Sequence, residues 1–201
     1  MASNILPYAI KEFHAHRPNL RIRLFDGPLA TIARRVVAGQ VDIALGIFGK
    51  AAGIRRTPFF RFSLVVVRPS SESAVFRAST TWSALKGETL VSLSATSEVQ
   101  QIVDRQLADA GVAPQSSIVL NSLDAQIAMV EAEHGIAVIP SFGVPACRTR
   151  RVVVSRLINP VVTLDFHQIS SRARPLPPGA DDFTNFLQGY IARWAGTAGI
   201  L

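Results

Sequence analysis

Four places in the sequence set small polar residues or glycine between a strand-like and a helix-like stretch: Ser3-Asn4, Gly27-Pro28, Ser94 to Ser97, and Asn121-Ser122. A helix N-terminus leaves up to four backbone N–H groups without helical partners and carries a partial positive charge. Several converging N-termini make an anion site without any charged side chain. The chemistry suits a small carboxylate or phosphate compound, with Ser3, Asn4, Gly27, Pro28, Ser94, Thr96, Ser97 and Ser122 as candidate contacts. Each of these residues is also an ordinary helix cap, and capping alone is the simpler role for any one of them.

Other reactive types form no working set. His14 and His16 are two apart and point to different faces of a helix, and neither they nor His134 and His167 fall in a His-Glu-x-x-His pattern, so no metal or other cofactor is expected. Asp42 has no partner acid or base in the sequence around it, and hydrogen bonding to nearby backbone is its expected role. Ser141, Ser94 and His134 lie in no Gly-x-Ser-x-Gly elbow, and no GxGxxG or Walker loop occurs. Catalysis is therefore not expected. The cluster Arg148-Thr-Arg150-Arg151 is short enough to be a solvated face, and the single cysteine, Cys147, reads as a small packed side chain.

The elements that must position these residues alternate between helical and strand periods, the grammar of an α/β protein. Leu6, Ile10 and Phe13 share a helix face, capped by Ser3 and closed by Pro18. Leu20 to Phe25 alternates as a strand, a helix from Leu29 to Ala38 stops at Gly39, and Val41 to Leu45 is the next strand. Phe59 to Arg68 contains Leu64-Val-Val-Val67, apolar on both faces as a buried strand is. A strand at Leu90 to Leu93 leads through Ser94 to Ser97 into a helix ending near Gly111, and the same order recurs from Ile118 through Ser122 to Gly135 and Ile136 to Ile139. Strands at Val152 to Leu157 and Val161 to Ile169 follow. Phe183, Phe186, Leu187, Tyr190, Ile191 and Trp194 then line one face of a final helix.

Composition bounds the class. The 201 residues are 48% hydrophobic and 17% charged, with mean hydropathy +0.27, enough apolar material for one or two folded domains. There is no internal repeat or low-complexity linker. One cysteine leaves no internal disulfide, no apolar run reaches the roughly 18 residues of a membrane span, and the first residues do not resemble a signal peptide. A cytoplasmic, membrane-free protein is expected. The net charge of +7 comes from 18 arginines and three lysines, Lys11, Lys50 and Lys86, against 14 acidic residues.

Taken in order, Leu6-Pro7 with the Phe13 to Pro18 helix end, Gly39-Gln-Val-Asp-Ile-Ala-Leu-Gly46, Trp82-Ser-Ala-Leu-Lys-Gly87, and Met129-Val-Glu-Ala-Glu-His-Gly-Ile-Ala-Val-Ile-Pro140 resemble the effector-binding domain of LysR-type transcriptional regulators, a type 2 periplasmic-binding-protein fold. Glu133-His134 departs from the family, which often has Gly and a small or apolar residue there. The resemblance implies two Rossmann-like α/β lobes joined by two crossing strands near Arg68 and Asn159. Lobe one would be residues 1–68 and 160–201, and lobe two residues 69–159. It also implies a small anionic effector, antiparallel homodimers, and contact with DNA only through an N-terminal head absent from this chain. In proteins of this fold a strand precedes the first helix inside the first-lobe sheet; that strand is missing here, and a truncated product or misassigned start is the expectation. Two other readings use the same scaffold: a solute-binding protein of a transporter, and a dehydratase or lyase.

Overall fold

The computed structural model describes residues 5–70, 78–113 and 115–198. In chain order the elements are α1 (Leu6–His16), α2 (Leu29–Val37), β1 (Ala44–Gly46), β2 (Ile54–Pro69), β3 (Ser79–Thr81), β4 (Thr89–Leu93), α3 (Glu98–Asp109), β5 (Gln115–Leu120), α4 (Leu123–Glu131), β6 (Ala137–Pro140), β7 (Val152–Ile158), β8 (Thr163–Ser171) and α5 (Ala180–Ala198), with 3-10 turns at Ser83–Leu85 and Ser141–Cys147. The chain divides into two units, 1–62 with 164–201, and 63–163. These divisions fall inside β2 and β8, whereas the sequence places the crossings near Arg68 and Asn159. Strand ends are visible as Pro and Asn in the sequence, but the residue at which a long strand changes core is not.

In the first unit β1 pairs antiparallel with β8, Leu45 opposite Gln168. Apolar residues of α2 at helical spacing, Ile32 and Val36, pack with Ala44, Phe48, Ile54 and Ile169. The aromatic stripe of α5 meets α1, with the Phe13 ring 5.2 Å from both Phe183 and Phe186. Leu187 and Ile191 are buried beneath it. Phe60 stacks on Phe166 at 4.7 Å. Ile5 occupies the N-cap position of α1 without a side-chain cap, and Ser3 and Asn4 lie outside the described residues.

One expected strand is absent. Leu20 to Phe25 is extended but joins no ladder, and Leu24 and Phe25 are exposed. Alternating residues become a strand only when a neighbour accepts their backbone bonds, and among the described residues none does. The strand expected at Val41 to Leu45 is shorter and later, Ala44–Gly46. Asp42 in that approach is exposed.

In the second unit Leu64 to Val67 are all buried, and β2 is an interior strand, with β6 paired from Leu64 opposite Pro140 and β7 from Val65 opposite Arg156. β3, not expected from the sequence, runs parallel to β7. β4 and β5 form a parallel pair, and Leu90 bridges to Ile136. Val65, Val67, Val91, Ile127, Val130, Ala137, Ile139 and Cys147 make the core between these strands and α4. Each such aliphatic side chain contributes about 1.5–3 kcal/mol on burial. Trp82 is fully buried and its indole N–H donates to the Pro160 carbonyl at 3.0 Å.

Candidate functional site

The parallel strands β4 and β5 end side by side, and each turns directly into a helix. The N–H of Ser94 donates to the Leu120 carbonyl at 2.8 Å, tying the turn after β4 to the end of β5. Two helix N-termini, those of α3 and α4, therefore open from adjoining strand ends within one unit. Ligands of open α/β sheets bind at such carboxyl ends of strands.

The turn is held by its own polar atoms. The Ser94 and Thr96 hydroxyls lie 3.0 Å apart, the Thr96 N–H donates to Ser94 Oγ at 3.4 Å, and the Ser97 N–H donates to the Ser94 carbonyl at 2.8 Å. Ser97 caps α3 by accepting the Gln100 N–H at 3.4 Å, and Ser122 caps α4 by accepting the Ala125 N–H at 3.5 Å. Capping takes one acceptor site of each hydroxyl and leaves the proton of each free to donate outward. The Ser94 and Thr96 hydroxyls share one bond between them, which leaves the pair one proton to donate outward.

Three glutamines that sequence reasoning passed over complete the arrangement. Gln100 accepts the Leu93 N–H through Oε1 at 2.8 Å and donates to Asp104 at 2.7 Å. Gln101 donates to the Ala95 carbonyl at 3.0 Å. Gln126, only 1% exposed, donates to the Val91 carbonyl at 2.9 Å, and its own Oε1 is buried without a partner. The run Ser97-Glu-Val-Gln100 carries the spacing of a capping box, so Gln100 was detectable as a helix-start residue. Its side chain reaches β4 rather than the cap, which only the fold decides.

The electrostatics are mixed. The second unit carries eight basic and eight acidic residues, and Glu98 and Asp124 occupy the first turns of α3 and α4. Both carboxylates already complement the helix dipoles. Any anion held here relies on backbone N–H and hydroxyl donors.

Ser94, Thr96, Ser97 and Ser122 are thus brought together. Gly27 and Pro28 belong to the other unit, where Pro28 precedes α2 and its carbonyl accepts the Thr31 and Ile32 N–H groups. The remaining reactive residues have structural roles. Ser141 is buried, and its hydroxyl accepts the Ser63 N–H at 3.3 Å. Cys147 is buried in the core, and desolvation pushes its thiol up to about 11 despite the nearby Arg150 charge. In the basic cluster, Arg150 pairs with Glu131 at 2.9 Å and the Arg151 N–H donates to the same carboxylate at 3.0 Å. These two hydrogen bonds hold the Glu131 carboxyl below its ordinary range. Among the described residues no group of three or more His, Cys, Asp or Glu is placed to hold a metal ion, and no helix is long and apolar enough to cross a membrane. A depression lined by Asp104, Leu107, Ala108, Gly111, Val112 and Ala113 lies at the opposite end of α3, and its one charged side chain is a carboxylate.

The chain is similar to two curated proteins: "Uncharacterized HTH-type transcriptional regulator YbhD" of Escherichia coli strain K12, with 21% identity over 179 residues, and "Uncharacterized HTH-type transcriptional regulator YfeR" of Shigella flexneri, with 27% identity over 189 residues. The matches cover 89% and 90% of this chain but only 56% and 59% of those proteins, so the chain spans less than two thirds of either. Both are named as transcriptional regulators and not as enzymes. Among solved structures, the effector binding domain of QuiR in complex with shikimate superposes with a TM-score of 0.81 at 17% identity, covering 96% of this chain and 93% of that one. The fold is therefore that of LysR effector-binding domains, two α/β units of the type 2 periplasmic-binding-protein kind. The LysR substrate binding domain profile matches residues 1–192, nearly the whole length, and on that match this chain belongs to the LysR substrate-binding domain family.

Proposed function

We propose that this chain is the sensing module of a cytoplasmic LysR-type regulator, and that it binds a small organic anion at the Ser94 to Ser97 turn. The effector class goes beyond the family assignment. The observation that carries it is the pair of adjoining strand ends, tied by the Ser94–Leu120 bond, that open two helix N-termini beside the hydrogen-bonded hydroxyl pair of Ser94 and Thr96. The related QuiR domain was solved with shikimate, which supports a small polar effector. Binding biases the arrangement of the regulator and so alters its action on DNA.

Thermal-shift screening of small carboxylates and phosphates against neutral sugars tests the reading. Anions should raise the melting temperature in a concentration-dependent way, and neutral sugars should not. The double variant Ser94→Val/Thr96→Val should lose at least about tenfold in affinity, as expected when a hydrogen bond to a charged group is removed. Glu98→Gln with Asp124→Asn should instead tighten anion binding, because two like charges leave the helix N-termini. A double Val variant that binds the best anion as tightly as the parent refutes the placement.

A further inference from the structure

The net charge is not shared between the units. Residues 1–62 and 164–201 hold 13 basic and 6 acidic side chains, and residues 63–163 hold 8 of each, so the first unit carries the whole +7. Within it, Arg17, Arg61 and Arg193 pair with Asp182, Asp165 and Glu12. The other acidic residues of the unit are Asp26, Asp42 and Asp181, and Asp26 accepts the Gly27 N–H.

Three arginines without a carboxylate partner among the described residues, Arg23, Arg35 and Arg174, meet around the exposed Phe25 and the end of α2. Arg23 on the extended segment and Arg35 on α2 both lie over the exposed Phe25 ring, their guanidinium carbons 6.0 and 5.5 Å from its centroid. Arg21 and Arg34 neighbour them in sequence and are exposed. Arg174 reaches the end of α2, where its guanidinium covers Gly39 and approaches the Gly39 carbonyl at 3.5 Å. Leu20 packs against Gly179, which brings the arginine-bearing segment alongside the chain that carries Arg174. Two exposed guanidinium groups held over one aromatic ring concentrate positive charge at one place, and an arginine fork matches phosphate oxygens.

We propose that this face, Arg23, Arg35 and Arg174 around Phe25 and the end of α2, binds the phosphate backbone of duplex DNA without reading its sequence. The choice of DNA over another polyanion rests on the reading of this chain as part of a DNA-acting regulator; the basic face itself does not depend on the effector site. Such a face adds salt-sensitive affinity beside whatever element reads the operator.

The test is fluorescence anisotropy of a labelled 30-base-pair duplex of arbitrary sequence, titrated with the 201-residue chain at several salt concentrations. Binding should weaken linearly in log salt. Arg23→Gln/Arg35→Gln/Arg174→Gln should lower the slope by about two to three and affinity at low salt by about tenfold or more, since each lost phosphate contact removes about 0.9. The Arg→Lys triple variant should keep most of the slope. Lys86→Gln/Arg105→Gln/Arg156→Gln, equal in net charge but on the other unit, should leave it nearly unchanged. Equal losses in the two Gln triples would show that only total charge matters and overturn the proposal, as would no measurable binding by the parent. Binding of poly-glutamate in preference to the duplex overturns it in favour of an acidic protein partner. The anion-induced thermal shift, measured on the same variants, keeps failure of this face distinct from failure of the effector site.

Discussion

Gly135 sits where β6 is drawn against β4, and its replacement by alanine has a calculable consequence. Its φ is +138°, a region that residues with a Cβ rarely adopt, and an added Cβ would stand 2.3 Å from the Thr89 carbonyl oxygen. An ordinary carbon–oxygen contact is about 3.3 Å, so one strand must retreat by about 1 Å. That movement takes two backbone bonds with it, Ile136 N–H to the Thr89 carbonyl at 2.9 Å and Val91 N–H to the Ile136 carbonyl at 2.8 Å. Strain of about 1–3 kcal/mol and two bonds of about 1 kcal/mol each give a loss of about 3–5 kcal/mol for Gly135→Ala. For a chain of this size the melting temperature falls by about 6–20 °C. Urea unfolding followed by tryptophan fluorescence reads this loss, because Trp82 is fully buried in the same unit. Since β4 leads into the Ser94 turn, the anion-induced thermal shift should shrink as well. A variant within about 1 kcal/mol of the parent refutes the account of how β6 joins β4.

Glu133, two residues earlier, has φ +64°, so Glu133→Gly should be neutral or stabilising by up to about 1 kcal/mol in the same urea assay. The Glu131 carboxyl is held low by the Arg151 N–H and Arg150, so its contribution is present above the ordinary carboxylate range and is lost as pH falls through its lowered folded value; Glu131→Gln should flatten the melting temperature across that acid window. With its thiol pushed up to about 11, Cys147 should resist aromatic disulfide reagents at pH 8 in the folded chain and react fully in urea, and prompt native labelling would contradict its place in the core. A two-fold dimer is expected in sedimentation at tens of micromolar, an order-of-magnitude concentration for moderate affinity, and a monomer throughout would exclude it.

Helix-forming stretches were the most legible part of the chain. The α5 stripe depends only on residues three and four apart, so its pairing face could be named before its partner, α1, was known. Leu64 to Val67 likewise announced a strand buried on both sides. Leu20 to Phe25 shows the limit of the same reasoning. Its alternation is real, with Ile22 less exposed than Arg21 and Arg23, but alternation describes which faces are apolar and says nothing of whether a ladder partner is present.

At the site, the small residues of Ser94 to Ser97 and Ser122 were readable because a helix start needs a cap wherever it occurs. These caps, the helical stripes and the class of donor on offer are all consequences of bonds between residues a few positions apart. The tertiary structure alone decided that Ser94 bonds to Leu120, that Gln126 lies buried under β4 with an unpaired oxygen, and that Arg23 and Arg35 share one ring. The first two contacts join residues far apart in the chain and the third brings α2 onto the segment before it, and the strand pairing and packing that make them depend on the whole fold at once.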